Sequence, residues 1–326
     1  MNDFAHGGLY GGLIITVLMT TTAMALWFER KMAGRMHSRL GPTIVGPWGL
    51  LQPVADVVKL LQKEDIVPEK ADSALFNLAP TLGAIAAIAV AAVIPFGPDV
   101  IAADLDVGVL YLLAVGALGV LPVFIAGWGS NNKFALLGGM RAIAQSVSYE
   151  VPLVLAAMVP VILSGSMKLS AIVTWQSTHH WLVVWPFFLG VPAFAIFMLA
   201  MLAEANRIPF DIPEAESELV AGITTEYTGM KFALFYVAEY VHTLVASAVA
   251  AALFLGGWDG PFAPGLWWMV AKTLGLFALI YWTRYSLLLF RSDQLMALCW
   301  RWLVPIGVLL VAGSAVWVVF VEGSAR

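Results

Sequence analysis

Residues 302–321 read WLVPIGVLLVAGSAVWVVFV, twenty successive residues without an acidic or basic side chain. An α-helix rises about 1.5 Å per residue, so a segment of this length matches the roughly 30 Å hydrocarbon core of a bilayer. Similar uncharged runs occur at 4–28, 73–98, 107–132, 151–167, 169–203 and 240–258. The pattern predicts a series of membrane-spanning helices.

The composition supports this interpretation. Of 326 residues, 61% are hydrophobic and 12% are charged, whereas soluble domains have roughly 45–50% and about 25%. An ordinary soluble enzyme is therefore excluded, and a net charge of −4 offers no polycation for nucleic acid. One cysteine, Cys299, and five scattered histidines offer neither a disulfide framework nor the ligands of a zinc site or an iron–sulfur cluster. We expect no metal site and no catalytic residue on this chain.

The fold predicted from these runs is an all-α polytopic membrane protein with a single membrane domain over 1–326. Glycine, proline and polar clusters limit about eight transmembrane helices to segments near 9–28, 74–96, 108–128, 148–165, 182–203, 232–255, 266–290 and 302–321. The longer loops lie near 29–73, 129–147, 204–231 and 291–301. A barrel is disfavoured because the alternation of a transmembrane strand is absent.

The basic residues indicate the orientation. With eight helices, 14 of the 17 Lys and Arg residues fall on the side of these four loops. Cytoplasmic loops carry the excess of basic residues in membrane proteins. The prediction is that the loops are cytoplasmic and that both termini lie outside.

The first of these loops contains a short amphipathic helix. Its apolar stripe has helical spacing, and the opposite face is polar. The stripe consists of Leu50, Leu51, Val54, Val57, Val58 and Leu61, and the polar face of Gln52, Asp56, Lys59 and Lys63. Such a helix lies at the membrane surface, where it either packs on a partner subunit or borders an entrance from the lipid.

Ionisable residues inside the predicted spans are candidates for function, since a charge at the bilayer centre costs about 2.5–3.5 kcal/mol on insertion scales. Four residues qualify: Glu150, Glu239, Lys272 and Arg284. Arg284 could instead extend to the headgroups, and Lys272 could form a structural ion pair.

The third long loop concentrates carboxylates. Residues 204–222 read EANRIPFDIPEAESELVAG, and Glu226 follows shortly after. Asp211 and Glu214 have the spacing of a capping box, and Glu218 would then lie one turn after Glu214 on the same helix face. The segment is either a solvated acidic surface or a cluster that changes protonation near neutral pH.

At this segment the chain resembles the H subunit of the proton-pumping NADH:quinone oxidoreductases, respiratory complex I. Other blocks with the same resemblance follow in the same order along nearly the whole chain. They are Glu29-Arg30-Lys31, Arg39-Leu40-Gly41-Pro42, Gly46 to Pro53 with Ala55-Asp56, Ser130 to Lys133, Arg141-Ala142, Ser148-Tyr149-Glu150 and Asp293 to Met296.

The resemblance implies two sets of site residues. A quinone tunnel entered from the lipid would be lined by Arg30, Arg39, Trp48, Asp56, Phe232 and Arg284. An acidic path from the quinone cavity to the proton channel of the membrane would contain Glu150, Glu204, Asp211, Glu214, Glu216, Glu218, Glu226 and Glu239, organised by Arg207.

The resemblance also implies the cofactors and partners. Quinone would be the substrate, FMN and iron–sulfur clusters would belong to partner subunits, and this chain would bind none of them by itself. Its partners would be the other membrane and peripheral subunits and the lipid of a bacterial plasma membrane. Two alternatives remain: a scaffold whose acidic loop stays solvated, and the related subunit of a membrane-bound hydrogenase, which needs no quinone tunnel.

Overall fold

A computed structural model describes residues 2–98, 100–214 and 216–322. Within these ranges it does not describe the side chains of residues 2–10, 13, 14, 216, 217, 321 and 322. The regular structure of the described part is entirely helical and includes no β-strand, so the all-α prediction is confirmed. Its α-helices are α1 (Asn2–Met36), α2 (Gln52–Gln62), α3 (Ser73–Ala91), α4 (Gly108–Leu118), α5 (Val120–Gly129), α6 (Lys133–Ser164), α7 (Leu169–His179), α8 (Phe187–Glu204), α9 (Glu216–Leu219), α10 (Gly229–Phe254), α11 (Leu266–Ser286), α12 (Ser292–Leu298) and α13 (Val304–Trp317).

Seven helical segments in the described part are long and apolar enough to cross a membrane. They are α3, the continuous pair α4–α5, α6, α8, α10, α11 and the stretch Ser292–Phe320. Helix α1 is not one of the seven, although its 35 residues exceed the length of a span. The chain is therefore a multi-pass membrane protein.

Several helices extend beyond the predicted spans. Helix α6 begins at Lys133, well before the predicted 148, because Asn132 Oδ1 accepts a hydrogen bond from the Phe134 amide at 2.9 Å and caps its first turn. Helix α1 continues to Met36 past the charges at Glu29 and Arg30. Charged residues mark where a helix leaves the apolar layer, but they do not end the helix.

The core around α10 is rich in small side chains, which let the helices approach closely. Helix α10 is buried along its second half, where Ala246, Ala248, Ala250, Ala251 and Ala252 pack against neighbouring helices. Small residues allow this close approach in a membrane, where burial of apolar surface does not drive helix association. Helix α10 is thus the central element, and its middle turns carry Glu239 and His242.

The predicted amphipathic helix corresponds to α2. Pro53 lies in its first turn, and Val54, Val57, Val58 and Leu61 are exposed on its apolar face. The helix is held to α1 by contacts of its polar face, and the apolar stripe is left for lipid or a partner.

Candidate functional site

A cavity of about 110 Å³ lies between α3, α4, α5, α6, α10 and the segment 205–228 that follows α8. Small residues such as Gly83, Ala86, Ala87 and Gly116 form much of its wall. Water in a protein cavity needs roughly 10–15 Å³ of such space per molecule, so several waters fit. The titratable residues that line it are Tyr149, Glu204, Glu214, Tyr236, Glu239 and His242.

Arg207 holds Glu239 at the cavity. Its side chain is only 2% exposed, and Nε lies 2.9 Å from Oε1 of Glu239. The angle does not satisfy a hydrogen bond, so charge governs this contact. The guanidinium also lies over the rings of Tyr240 and Tyr281, 4.6 Å and 5.3 Å from their centroids. Burial lowers the pKa of Arg207, but Glu239, Tyr281, Tyr240 and Glu29 together outweigh this effect and raise the pKa above its ordinary value.

Gln145 fixes the backbone that presents Arg207 and Glu204. Its buried Nε2 donates to the carbonyl oxygens of Ala203 at 2.7 Å and Phe210 at 2.9 Å, on either side of Arg207. One side chain of α6 therefore ties the end of α8 to the segment that follows it. No motif or spacing in the sequence marks Gln145.

Glu204 contacts His242 and the junction of α4 and α5. Its Oε1 lies 3.3 Å from Nε2 of His242, and the carboxyl group is 9% exposed. A Cβ atom at Gly116 would lie 2.7 Å from the same oxygen. Gly116 thus leaves the space that this carboxylate occupies. His242 was missed because an isolated histidine on a helix has no spacing pattern that marks it.

Glu214 lines the cavity from the segment after α8. Burial, followed by the negative charges of Glu239 and Asp211, raises the pKa of this carboxyl from 4.5 to about 8. The backbone at Gly222 packs closely against that of Pro213, the residue before Glu214. At Gly222 φ is +53°, and a Cβ there would lie 2.0 Å from the carbonyl oxygen of Pro213. Only glycine fits such a contact with φ in the left-handed region.

The capping-box prediction for Asp211 and Glu214 is wrong. Residues 212–214 form turns, and helix α9 begins only at Glu216. Glu218 consequently does not share a helix face with Glu214. It is 51% exposed and pairs with Arg141 at 2.6 Å, outside the cavity.

The other residues predicted for the acidic path have different surroundings. Glu226 accepts a hydrogen bond from Asn132 at 2.6 Å. Glu150 is half-buried on α6, next to the cavity residue Tyr149. Asp211 is also half-buried, and the side chain of Glu216 lies outside the described part of the chain. The structure brings Glu204, Glu214 and Glu239 together at one cavity with Arg207 beside them.

A second buried cluster surrounds Glu29. This carboxylate is 4% exposed and accepts hydrogen bonds from Tyr240, from Arg284 at 2.7 Å and from Tyr285 at 2.8 Å. Arg284 therefore does not extend alone to the headgroups. Sequence reasoning noted Glu29 only within a family block and gave it no role, since the end of α1 was assigned to a loop.

The remaining residues predicted for the tunnel lie around α1 and α2. Arg30 forms an ion pair with Asp56, which also accepts a hydrogen bond from Gln52 at 3.2 Å. The exposed Trp48 accepts a hydrogen bond at its carbonyl oxygen from the indole of Trp27 at 3.2 Å. Arg39 is exposed, and the ring of Phe232 lies 4.8 Å from that of Tyr236 on α10. No described contact joins Arg39 or Phe232 directly to the Arg30–Asp56 pair.

Lys272 caps the far end of α10. Its ammonium donates hydrogen bonds to the carbonyl oxygens of Leu255 at 2.5 Å, Gly257 at 3.0 Å and Asp259 at 2.5 Å. It also lies 4.1 Å from the ring centroid of Trp181. Backbone oxygens thus take the place of the carboxylate partner expected in a structural ion pair.

The fold and cavity define a polytopic membrane protein with a cluster of ionisable residues inside its helical bundle. Residues 11–315 match the family model described as NADH dehydrogenase. The chain is 47% identical to the H subunit of NADH-quinone oxidoreductase from Dehalococcoides mccartyi strain CBDB1, over 92% of this chain and 82% of that protein. It is 46% identical to the corresponding protein of Thermomicrobium roseum over 92% of each chain. The chain belongs to the family of NADH-quinone oxidoreductase H subunits and is a membrane subunit of respiratory complex I.

Proposed function

We propose that this chain forms much of the passage by which quinone reaches its reduction site, and that it couples quinone reduction to proton translocation through the carboxylates of its cavity. The observation that carries the proposal is the convergence of Glu204, Glu214 and Glu239 on one buried cavity. Carboxylates crowded in a poorly solvated space repel one another, so their protonation responds to any new charge nearby.

A continuous series of contacts supports the coupling. Arg284 donates to Glu29, and Tyr240 donates to the same carboxylate. The ring of Tyr240 lies against Arg207, which pairs with Glu239 at the cavity. A change of charge near Arg284, on the proposed quinone side, therefore reaches the cavity through groups that are already in contact.

The pKa of Glu214 suits this role. A value of about 8 leaves the carboxyl mostly protonated at neutral pH but close to its titration. A general acid or base works best when its pKa lies near the operating pH. Glu214 would release its proton when a positive charge approaches and retain it when a negative charge does.

The proposed division of labour assigns no redox centre to this chain. Quinone is the substrate, and FMN and iron–sulfur clusters on partner subunits supply the electrons. We place the chain in a bacterial plasma membrane with both termini outside, because 14 of 17 basic residues then face the cytoplasm. This orientation requires α1 to cross the membrane in addition to the seven apolar segments.

The test is purification of the tagged chain in mild detergent, identification of the chains that accompany it, and an assay of NADH-driven quinone reduction. The proposal predicts a multisubunit assembly whose quinone reduction is blocked by an inhibitor that occupies the tunnel. A chain that purifies alone, or with hydrogenase subunits and without quinone activity, would contradict it.

A further inference from the structure

The two ring nitrogens of His242 have different surroundings. It follows Glu239 by three residues on α10, so both side chains lie on the same face of the helix. Its Nε2 lies 3.3 Å from Oε1 of Glu204. Its Nδ1 is buried and has no hydrogen-bond partner among the described residues.

Ionisable groups of several elements share the cavity with His242. Glu204 comes from α8, Tyr149 from α6, and Tyr236 and Glu239 from α10 itself. The segment after α8 contributes Glu214, and Arg207 lies behind Glu239. Much of the remaining wall is apolar, so cavity water is the natural partner of Nδ1. Because Nδ1 is buried, the ring has to turn slightly toward the cavity before water can reach it.

We infer that His242 transfers protons between the cavity water and Glu204, as a relay residue of the acidic path. This inference rests on the proposed function, because it requires the carboxylates to exchange protons. Imidazole suits the task, since one ring nitrogen binds a proton while the other releases one.

The relay step conserves protons and involves no electrons. A protonated carboxyl of the cavity, such as that of Glu214, releases a proton to cavity water, which passes it to Nδ1 and remains neutral. The proton on Nε2 then passes to the carboxylate of Glu204. The ring ends neutral in the opposite tautomer, and exchange through water at both nitrogens restores the first one. A purely structural role would need only the contact of Nε2 to Glu204 and would not explain why an unpartnered Nδ1 is buried beside the cavity.

The test uses the complete complex with His242→Asn, and with His242→Gln as a second variant. The amide of glutamine reaches about as far as Nε2 and can still donate to Glu204, whereas the shorter asparagine reaches only as far as Nδ1. Neither amide can pass a proton through the side chain. The matched control is His180→Asn, an exposed position just after α7 that does not line the cavity. The complex is purified through a tag on this chain, and NADH oxidation by an acceptor that takes electrons before quinone shows that the peripheral subunits are attached and active. Quinone turnover is then measured across pH and in heavy water.

The relay predicts that quinone turnover falls at least about tenfold in either variant. A positioned proton-transfer group usually contributes about 10²–10⁴-fold to the rate. The expected loss is smaller because water replaces part of the path. It also predicts a larger solvent isotope effect and an altered pH profile, with the control and the early acceptor unchanged. Turnover within about twofold of wild type would overturn the inference, as would a loss of rate with unchanged isotope effect and pH profile.

Parallel variants separate this inference from the proposed function. If Glu204→Gln and Glu239→Gln lose coupled turnover while His242→Asn keeps it, only the relay is wrong. If the carboxylate variants also keep full coupled turnover, the proposed function fails and the relay fails with it.

Discussion

Arg207 and Glu239 form a buried ion pair between the segment after α8 and the first half of α10, with 2.9 Å between Nε and Oε1. Removing one partner of a buried pair leaves an uncompensated charge, which typically costs about 3–5 kcal/mol. Arg207→Leu should therefore lower the stability of the assembled complex strongly. Thermal unfolding in detergent measures the change.

The double variant Arg207→Leu/Glu239→Gln is the control for that experiment. It removes both charges and should recover a large part of the lost stability, because no unpaired charge remains. If the double variant is less stable than Arg207→Leu alone, the pair is not the source of the effect and Arg207 acts mainly by packing.

Glu214 predicts a pH dependence of stability. Its pKa is about 8 in the folded chain against 4.5 ordinarily, so the folded state binds a proton that the unfolded state has released between these values. The contribution to stability is complete below about pH 4.5 and is lost as pH rises through about 8. The melting temperature of Glu214→Gln should therefore rise relative to that of wild type as the pH increases from about 4.5 to about 8. A constant difference between the two would show that Glu214 titrates normally.

Gly116 predicts a packing effect on coupling. In Gly116→Ala the new Cβ would lie 2.7 Å from Oε1 of Glu204 and force the carboxylate away from His242. We expect coupled quinone turnover to fall severalfold while the complex still assembles. Gly275→Ala on α11 is the matched control, since its Cβ would meet nothing within 4 Å. Equal behaviour of the two alanine variants would show that Glu204 can move without consequence.

The Arg30–Asp56 pair predicts a defect in quinone access. Asp56→Asn removes the charge that holds Arg30 and α2 against α1. If these elements border the tunnel, the KM for a quinone with a long isoprenoid tail should rise several times more than that for a short-tailed analogue. The exposed Lys59→Met on the same helix serves as the comparison. A uniform change for both quinones would contradict a role in tail passage.

The sequence contained enough information for the fold class, for the short amphipathic helix and for the position of Glu239 inside an apolar helix. The length of each uncharged run follows from the thickness of the bilayer, so each membrane-spanning helix can be predicted from its own segment. The last residue of α1 and the first residue of α6 could not be predicted from charge, because a helix can continue past a charged residue into water.

The site was predictable only in part, since its residues meet through tertiary packing. Glu214 and Glu218 look equivalent in the sequence. In the structure, Glu214 lines the cavity next to the close backbone contact between Pro213 and Gly222. Glu218 pairs with Arg141 outside the cavity. Glu29, Gln145 and His242 carry no motif by themselves. Their roles depend on partners on other helices.

The most direct test of the account is the number of protons pumped per electron in proteoliposomes that contain the complex with Glu239→Gln. The control is Asp106→Asn, whose side chain is 96% exposed. Glu239→Gln leaves Arg207 unpaired, so we expect a less stable complex that still assembles and accepts electrons from NADH. It should lose most of its coupled quinone turnover and pumping, while the control equals wild type. Normal turnover with a normal proton-to-electron ratio in the assembled Glu239 variant would contradict the account.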